Sequence, residues 1–314
     1  MSPDRTDIVC LCTHYDLKSL YAPGFAHHPS LQLLQPEEVA DPQAIDIALA
    51  FNPPPDAFAR FPNLKLLHSV GAGVDGLLKH PGLLPDMAVV RMVNPEQARM
   101  MAGFAVWHVV SWHRRLWEYP TAQARRHWEV LDASAPSTFP VAVLGWGNMG
   151  RACGEALAGL GYPVTAWAGT PRTEAGIRIL AGAAGLEEVL AEARVVVNVL
   201  PLTASTQGIL DARRFAMMRQ DALVVQLGRG GHLVEADLVA ALDAGRPAMA
   251  ALDVMQTEPL PAESPLWAHP RIRVTPHCAS ESSAEAVADA VAANVERWKS
   301  GEPMRGVVDR ARGY

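Results

Sequence analysis

Apolar residues come in short unbroken runs separated by polar or proline-rich breaks. In the first hundred residues the runs are 8–11, 45–51, 64–70 and 87–90; further on they are 141–144, 164–167, 195–199, 223–227, 248–252 and 272–275. Unbroken runs of this length mark strands covered on both faces, as in a parallel sheet, and stretches of helical spacing lie between several of them. The pattern therefore predicts an α/β chain, and the six later runs predict a doubly wound sheet. Residues 95–119 read as one long helix and 283–299 as another, with Ser282 or Ser283 as N-cap and Gly301 past its end. Pro53, Pro54 and Pro55 make a stiff turn after the second run, leaving Phe51 and Asn52 at a strand's C-terminal edge, where open α/β sheets bind ligands.

At 314 residues and 49% apolar composition, the chain is long enough for about two domains, each with its own core. The Pro, Ser and Thr cluster at 135–140 is expected to lie in the passage between them. Lys and Arg number 27 against 33 Asp and Glu, a net charge of −6, which argues against a nucleic-acid partner. No apolar run approaches the roughly 20 residues of a membrane span, and Asp4, Arg5 and Asp7 lack the order of a secretory signal, so a cytoplasmic, membrane-free protein is expected. Four cysteines make no disulfide framework. Cys10-x-Cys12 with His14 lacks metal spacing and a second half-site, so no metal is expected.

The most specific motif is Gly145-Trp-Gly147-Asn148-Met149-Gly150, which follows the run 141–144 and opens a helical segment. Gly145 permits the tight turn, Gly147 lets backbone N–H groups approach a pyrophosphate, and Gly150 lets the helix lie close to the sheet. An ordinary glycine-rich βα turn is the lesser reading, because strand and helix flank the motif at the right offsets. About 20 residues on, where an acid would hold a ribose 2′-hydroxyl, the chain reads Trp167-Ala-Gly-Thr170-Pro-Arg172, with no carboxylate before Glu174. Thr170 and Arg172 suit a 2′-phosphate, so NADP(H) is favoured over NAD(H). A solvated loop cation is the other reading of Arg172.

Three ionisable residues follow later runs: Arg229, Glu258 and His277. A guanidinium clamps a carboxylate through two hydrogen bonds and polarises an adjacent carbonyl. An imidazole transfers a proton, and a carboxylate beside it fixes its tautomer. Together they suit reduction of a 2-oxo acid; singly, each has a structural explanation.

These residues carry a resemblance to the D-isomer-specific 2-hydroxyacid dehydrogenases. It runs through Gly71-Ala-Gly-Val-Asp75, the glycine-rich turn, Leu200-Pro-Leu-Thr203, Gly228-Arg-Gly-Gly231, Leu252-Asp-Val254 with Glu258-Pro259, and Thr275-Pro-His277. Within the family the chain is most similar to the glyoxylate/hydroxypyruvate reductase A branch, on Pro261–Pro270, His127-Trp128 and the ending at Tyr314. The resemblance implies two Rossmann-like doubly wound domains, a nucleotide-binding domain (101–283) inserted in a flavodoxin-like substrate domain (1–100 and 284–314). Arg229 would orient substrate, His277 would be the acid/base and Glu258 its partner. Ala72, Gly73 and Phe51 would meet the substrate, and Asp253 the nicotinamide carboxamide. Leu200, Pro201, Thr206, Leu227, Gly228 and Ala279 would line the nucleotide path, and the protein would be a homodimer.

The chain departs from that branch where two cations after the second strand become Gly169 and Pro171, where Trp-His becomes Phe51-Asn52, and where an Asn becomes Gln226. The expected activity is NADPH-preferring reduction of glyoxylate and hydroxypyruvate. A bulkier 2-oxo acid remains an alternative substrate, a dinucleotide-sensing, corepressor-like protein is the alternative class, and a methyltransferase is the weakest reading.

Overall fold

The computed structural model describes residues 5–314, which divide into two compact units. The smaller unit comprises residues 5–94 with Ser282–Tyr314. Its strands are β1 (Thr6–Cys12), β2 (Leu31–Leu34), β3 (Ile47–Phe51), β4 (Leu66–Ser69) and β5 (Ala88–Val90), with helices α1 (Leu17–Phe25) and α2 (Asp75–Leu78) between them. All pairings are parallel, in the order β2-β1-β3-β4-β5, the flavodoxin-like arrangement. Ile8 and Cys10 enter one apolar cluster while Val9 and Leu11 enter another, because successive side chains of a strand point to opposite faces. Both faces are covered, which is why the run is unbroken.

The larger unit, Pro95–Glu281, opens with α3 (Pro95–His113) and α4 (Tyr119–Ala124). Its sheet then alternates with helices: β6 (Val141–Leu144), α5 (Asn148–Gly159), β7 (Val164–Ala168), β8 (Arg178–Ala181), α6 (Gly182–Glu192), β9 (Val195–Asn198), α7 (Ala212–Met217), β10 (Leu223–Gln226), α8 (Glu235–Asp243), β11 (Met249–Leu252) and β12 (Ile272–Val274). The parallel order is β12-β11-β10-β9-β6-β7-β8, so winding reverses between β6 and β9, the crevice where such sheets bind nucleotides.

Ala284–Ser300 forms α9, which belongs to the smaller unit. The Ser283 hydroxyl accepts the Ala286 N–H as its N-cap, and Gly301 ends it with a left-handed φ of 75°. The helix packs on α1 so closely that a Cβ on Gly24 would lie 2.1 Å from the Ala284 carbonyl oxygen.

Three elements differ from the sequence reading. The helix read as 95–119 ends at His113: Arg115 turns left-handed (φ 55°), and the Leu116 N–H bonds back to the Ser111 carbonyl, closing the end as a Schellman turn does. Strands β2 and β8 were absent from the run pattern. Both lie at sheet edges; β2 is a run of four residues broken by Gln32, and β8 opens on Arg178 and has no fully buried residue.

Candidate active site

After β6, Gly145 turns the chain with φ 101°, and Gly150 brings α5 against that turn, where a Cβ would stand 1.8 Å from the Gly145 carbonyl oxygen. Gly147, the N-cap of α5, is different: beyond its chain neighbours, no protein atom lies within 4 Å of where its Cβ would be. Packing therefore does not require a glycine there, while a ligand passing over the N–H groups of Asn148 and Met149 would. An open approach to a helix N-terminus suits an anionic pyrophosphate, and the residues present fit a dinucleotide.

β9 leads into the loop of Leu200 and Pro201. Thr206, buried, shapes this loop: its Oγ1 donates to the Pro201 carbonyl (2.7 Å) and accepts the Thr203 N–H (2.8 Å). Beyond β7, Gly169, Thr170 and Arg172 are exposed. The Arg172 guanidinium nevertheless reaches back to the glycine-rich turn, donating to the Trp146 carbonyl at 2.8 Å.

Arg229 follows β10 on a turn with no room for side chains at its neighbours. A Cβ at Gly228 would meet His232 and the Leu200 carbonyl at 2.9 Å, and one at Gly230 the Met255 carbonyl at 1.9 Å. The Arg229 N–H donates to His232 Nδ1 (3.1 Å), and its guanidinium to the Gly228 carbonyl (2.8 Å). A buried amide relay fixes the turn from below: Asn198 donates to Gln226 Oε1 (2.6 Å), and Gln226 Nε2 donates to the Arg229 carbonyl (2.8 Å). Asn198 Oδ1 also accepts the Leu200 N–H (3.2 Å), tying the Arg229 turn to the loop after β9.

His277 and Glu258 meet, Nδ1 to Oε2, at 2.7 Å. The other Glu258 oxygen accepts the Met255 N–H (2.9 Å). Burial pushes the Glu258 carboxyl up, but the His277 hydrogen bond, the Met255 N–H and the charges of His277 and Arg229 outweigh it and hold the carboxyl below its ordinary range. The ring's Nε2 has no hydrogen-bond partner among the described residues, on a half-exposed side chain. His277 holds a left-handed φ of 53°, costly for a residue with a Cβ. Asp253 holds it there. Its carbonyl accepts the His277 N–H (2.8 Å), and its buried carboxylate accepts the Thr275 hydroxyl (2.6 Å) and the N–H groups of Cys278 and Ala279 (3.0 Å each).

In the smaller unit the Phe51 ring lies against Gly71, 3.6 Å from where a Cβ would be, beside Ala72 and Gly73. The Gly71 N–H is fixed by Ser69 Oγ at 3.1 Å.

Residues 106–279 match the NAD binding domain of the D-isomer-specific 2-hydroxyacid dehydrogenases. The chain belongs to this family. A glyoxylate/hydroxypyruvate reductase A from Klebsiella pneumoniae (strain 342) is 37% identical over 282 residues, covering 88% of this chain and 90% of its own. One of the same name from Yersinia enterocolitica is 36% identical over 279 residues, 87% and 89% of the two chains. Among solved structures, a D-isomer-specific 2-hydroxyacid dehydrogenase from Xanthobacter autotrophicus Py2, in complex with NADPH and MES, superposes with a TM-score of 0.93 at 36% identity, covering 99% and 100% of the chains. An NADPH-dependent glyoxylate/hydroxypyruvate reductase from Sinorhizobium meliloti, in complex with NADP and sulfate, gives 0.92 at 32% identity with the same coverage.

For a dehydrogenase of this family, the sequence reading overlooked the positioning residues. Asn198 closes a run of three valines, and a polar residue ending a buried strand is the signal that could have found it. Gln226 stood out only as a departure; the structure gives its longer side chain a task. Asp253, expected at the nicotinamide, is engaged through both carboxylate oxygens in holding the His277 loop.

Proposed function

We propose that this protein is an NADPH-preferring reductase of small 2-oxo acids, acting on glyoxylate and hydroxypyruvate with formation of glycolate and D-glycerate. The observation that carries the reading is the Glu258–His277 pair, with Arg229 close enough to act on the same carboxylate. When bound, the reduced nicotinamide supplies the hydride to C2. Arg229 takes the substrate carboxylate and draws electron density from the carbonyl beside it. His277 gives the carbonyl oxygen its proton from Nε2, since Glu258 occupies Nδ1 and fixes that orientation. Ala72 and Gly73 offer backbone N–H groups to the substrate carboxylate, and Phe51 bounds the substrate. Bulkier 2-oxo acids are the competing substrates.

In this reading the larger unit holds the nucleotide and the smaller one serves the substrate. Gly145, Gly147, Asn148, Met149 and Gly150 take the pyrophosphate. Leu200, Pro201, Thr206, Leu227, Gly228 and Ala279 line its path, and Asp253 serves the nicotinamide end. Thr170 and Arg172 take the 2′-phosphate; the named ligands of the Xanthobacter and Sinorhizobium structures support NADP(H) as the coenzyme. Trp128, 95% exposed, and Val130 on the same segment support a homodimer formed through the larger unit. Four free cysteines support a reducing, cytoplasmic location. Among the described residues no helix is long and apolar enough to cross a membrane.

The test is the initial rate of nicotinamide absorbance loss on adding glyoxylate or hydroxypyruvate, with NADPH and NADH compared. Faster loss with NADPH is expected. Faster loss with NADH overturns the coenzyme assignment, and no loss with either overturns the activity in favour of a dinucleotide sensor.

A further inference from the structure

Arg151 stands on the first turn of α5, directly after Gly150, and its guanidinium lies 2.9 Å from Glu174 Oε1. The second Glu174 oxygen accepts the indole N–H of Trp146 at 2.5 Å. Arg172 donates to the carbonyl of that same tryptophan at 2.8 Å. Two guanidinium groups and one carboxylate thus gather around the residue between the first two glycines. They sit where the loop after β7 folds back on the glycine-rich turn. In a sheet of this order, the strand end that β7 provides is where the adenosine ribose is read. Trp146 is buried and Glu174 is largely covered, whereas Arg151 is half exposed and able to swing.

We propose that Arg151 is a further cation for the 2′-phosphate of the dinucleotide, and that Glu174, paired with it, competes with that phosphate and so tempers the NADP(H) preference. The proposal rests on the coenzyme reading above. With no phosphate present, Glu174 neutralises Arg151 and keeps its guanidinium beside the turn. An arriving 2′-phosphate offers up to two charges and three acceptor oxygens, so it competes for the same donors while being repelled by the Glu174 carboxylate. Preorganisation and competition are opposed effects of one side chain. The competition dominates, because the pair is partly solvated and worth little by itself, whereas a carboxylate beside a phosphate dianion acts directly on its binding. Glutamine at 174 keeps an acceptor for the Trp146 indole and removes the charge.

The experiment is calorimetric titration of the full chain with adenosine 2′,5′-bisphosphate and, separately, adenosine 5′-monophosphate, for wild type, Glu174→Gln, Arg151→Gln and the double variant. Glu174→Gln is expected to tighten the bisphosphate about threefold or more while moving the monophosphate little, in keeping with the strength of exposed ion pairs. Arg151→Gln is expected to weaken the bisphosphate selectively, and the gain from Glu174→Gln is expected to vanish in the double variant. Equal weakening of both nucleotides by Glu174→Gln would make Glu174 a loop prop and overturn the proposal. So would an unchanged nucleotide ratio in Arg151→Gln. A wild type that binds both nucleotides equally would instead refute the coenzyme reading, and the proposal would fall with it.

Discussion

Glu258 and His277 are joined at 2.7 Å through Nδ1 while the histidine's own backbone is left-handed, so the pair depends on a strained loop that Asp253 holds in place. Replacing Glu258 by Gln should lower kcat more than it changes dinucleotide affinity, because the imidazole loses the anion that steadies its charged form.

The same residue predicts a pH dependence of stability. The Glu258 carboxyl is held below its ordinary value of 4.5 in the folded chain. Its contribution is therefore complete above that value and is lost as pH falls through the lower, folded-state value. Thermal melts of wild type and Glu258→Gln should differ most near neutral pH and converge in acid; a gap that widens on acidification would contradict the direction of the shift.

Arg229→Ala should cut kcat/KM for glyoxylate by about a hundredfold to a thousandfold, the worth of roughly two charge-assisted hydrogen bonds. Arg229→Lys should recover only part of it, since an ammonium lacks the planar fork. NADPH affinity, measured by fluorescence, should stay close to wild type in both.

Gly147 and Gly150 should fail in different ways. Gly150→Ala places a Cβ 1.8 Å from the Gly145 carbonyl oxygen and should lower the melting temperature without ligand. At Gly147→Val the added Cβ meets no protein atom within 4 Å beyond the chain neighbours, so the variant should melt close to wild type, yet bind NADPH at least about tenfold more weakly because the side chain covers the N–H groups of α5.

Gln226→Leu removes both links of the buried relay, leaving the Asn198 amide and the Arg229 carbonyl without these partners. An unsatisfied buried group costs about 1–3 kcal/mol and the Asn198 amide is fully buried, so chemical denaturation should show at least a loss of that size, with kcat reduced as the Arg229 turn loosens. Gln226→Asn is the informative control, since the shorter amide should recover only part of the stability.

The fold was legible wherever burial is two-sided. The runs 141–144, 223–227 and 248–252 announce central strands, which have a strand on each side and side chains buried on both faces. Strand β2, interrupted by Gln32, and strand β8, with no fully buried residue, carry no such mark, and the end of α3 at His113 depends on a left-handed Arg115 that no glycine signals. The glycine-rich turn was legible because its chemistry is local. The contacts that make a site of it were not: Glu174 reaches Trp146 across 28 positions, and Asn198 reaches Gln226 across the same interval. Composition around each residue says nothing of such pairs; the order of strands brings them together.

The central claim is tested most directly by the handedness of the product made from hydroxypyruvate and NADPH, read by chiral chromatography of the quenched reaction. A reductase that presents substrate through Arg229 and protonates it from His277, on the scaffold of a D-isomer-specific family, should yield D-glycerate alone. Formation of L-glycerate, or of no glycerate while NADPH binds normally, would contradict the account.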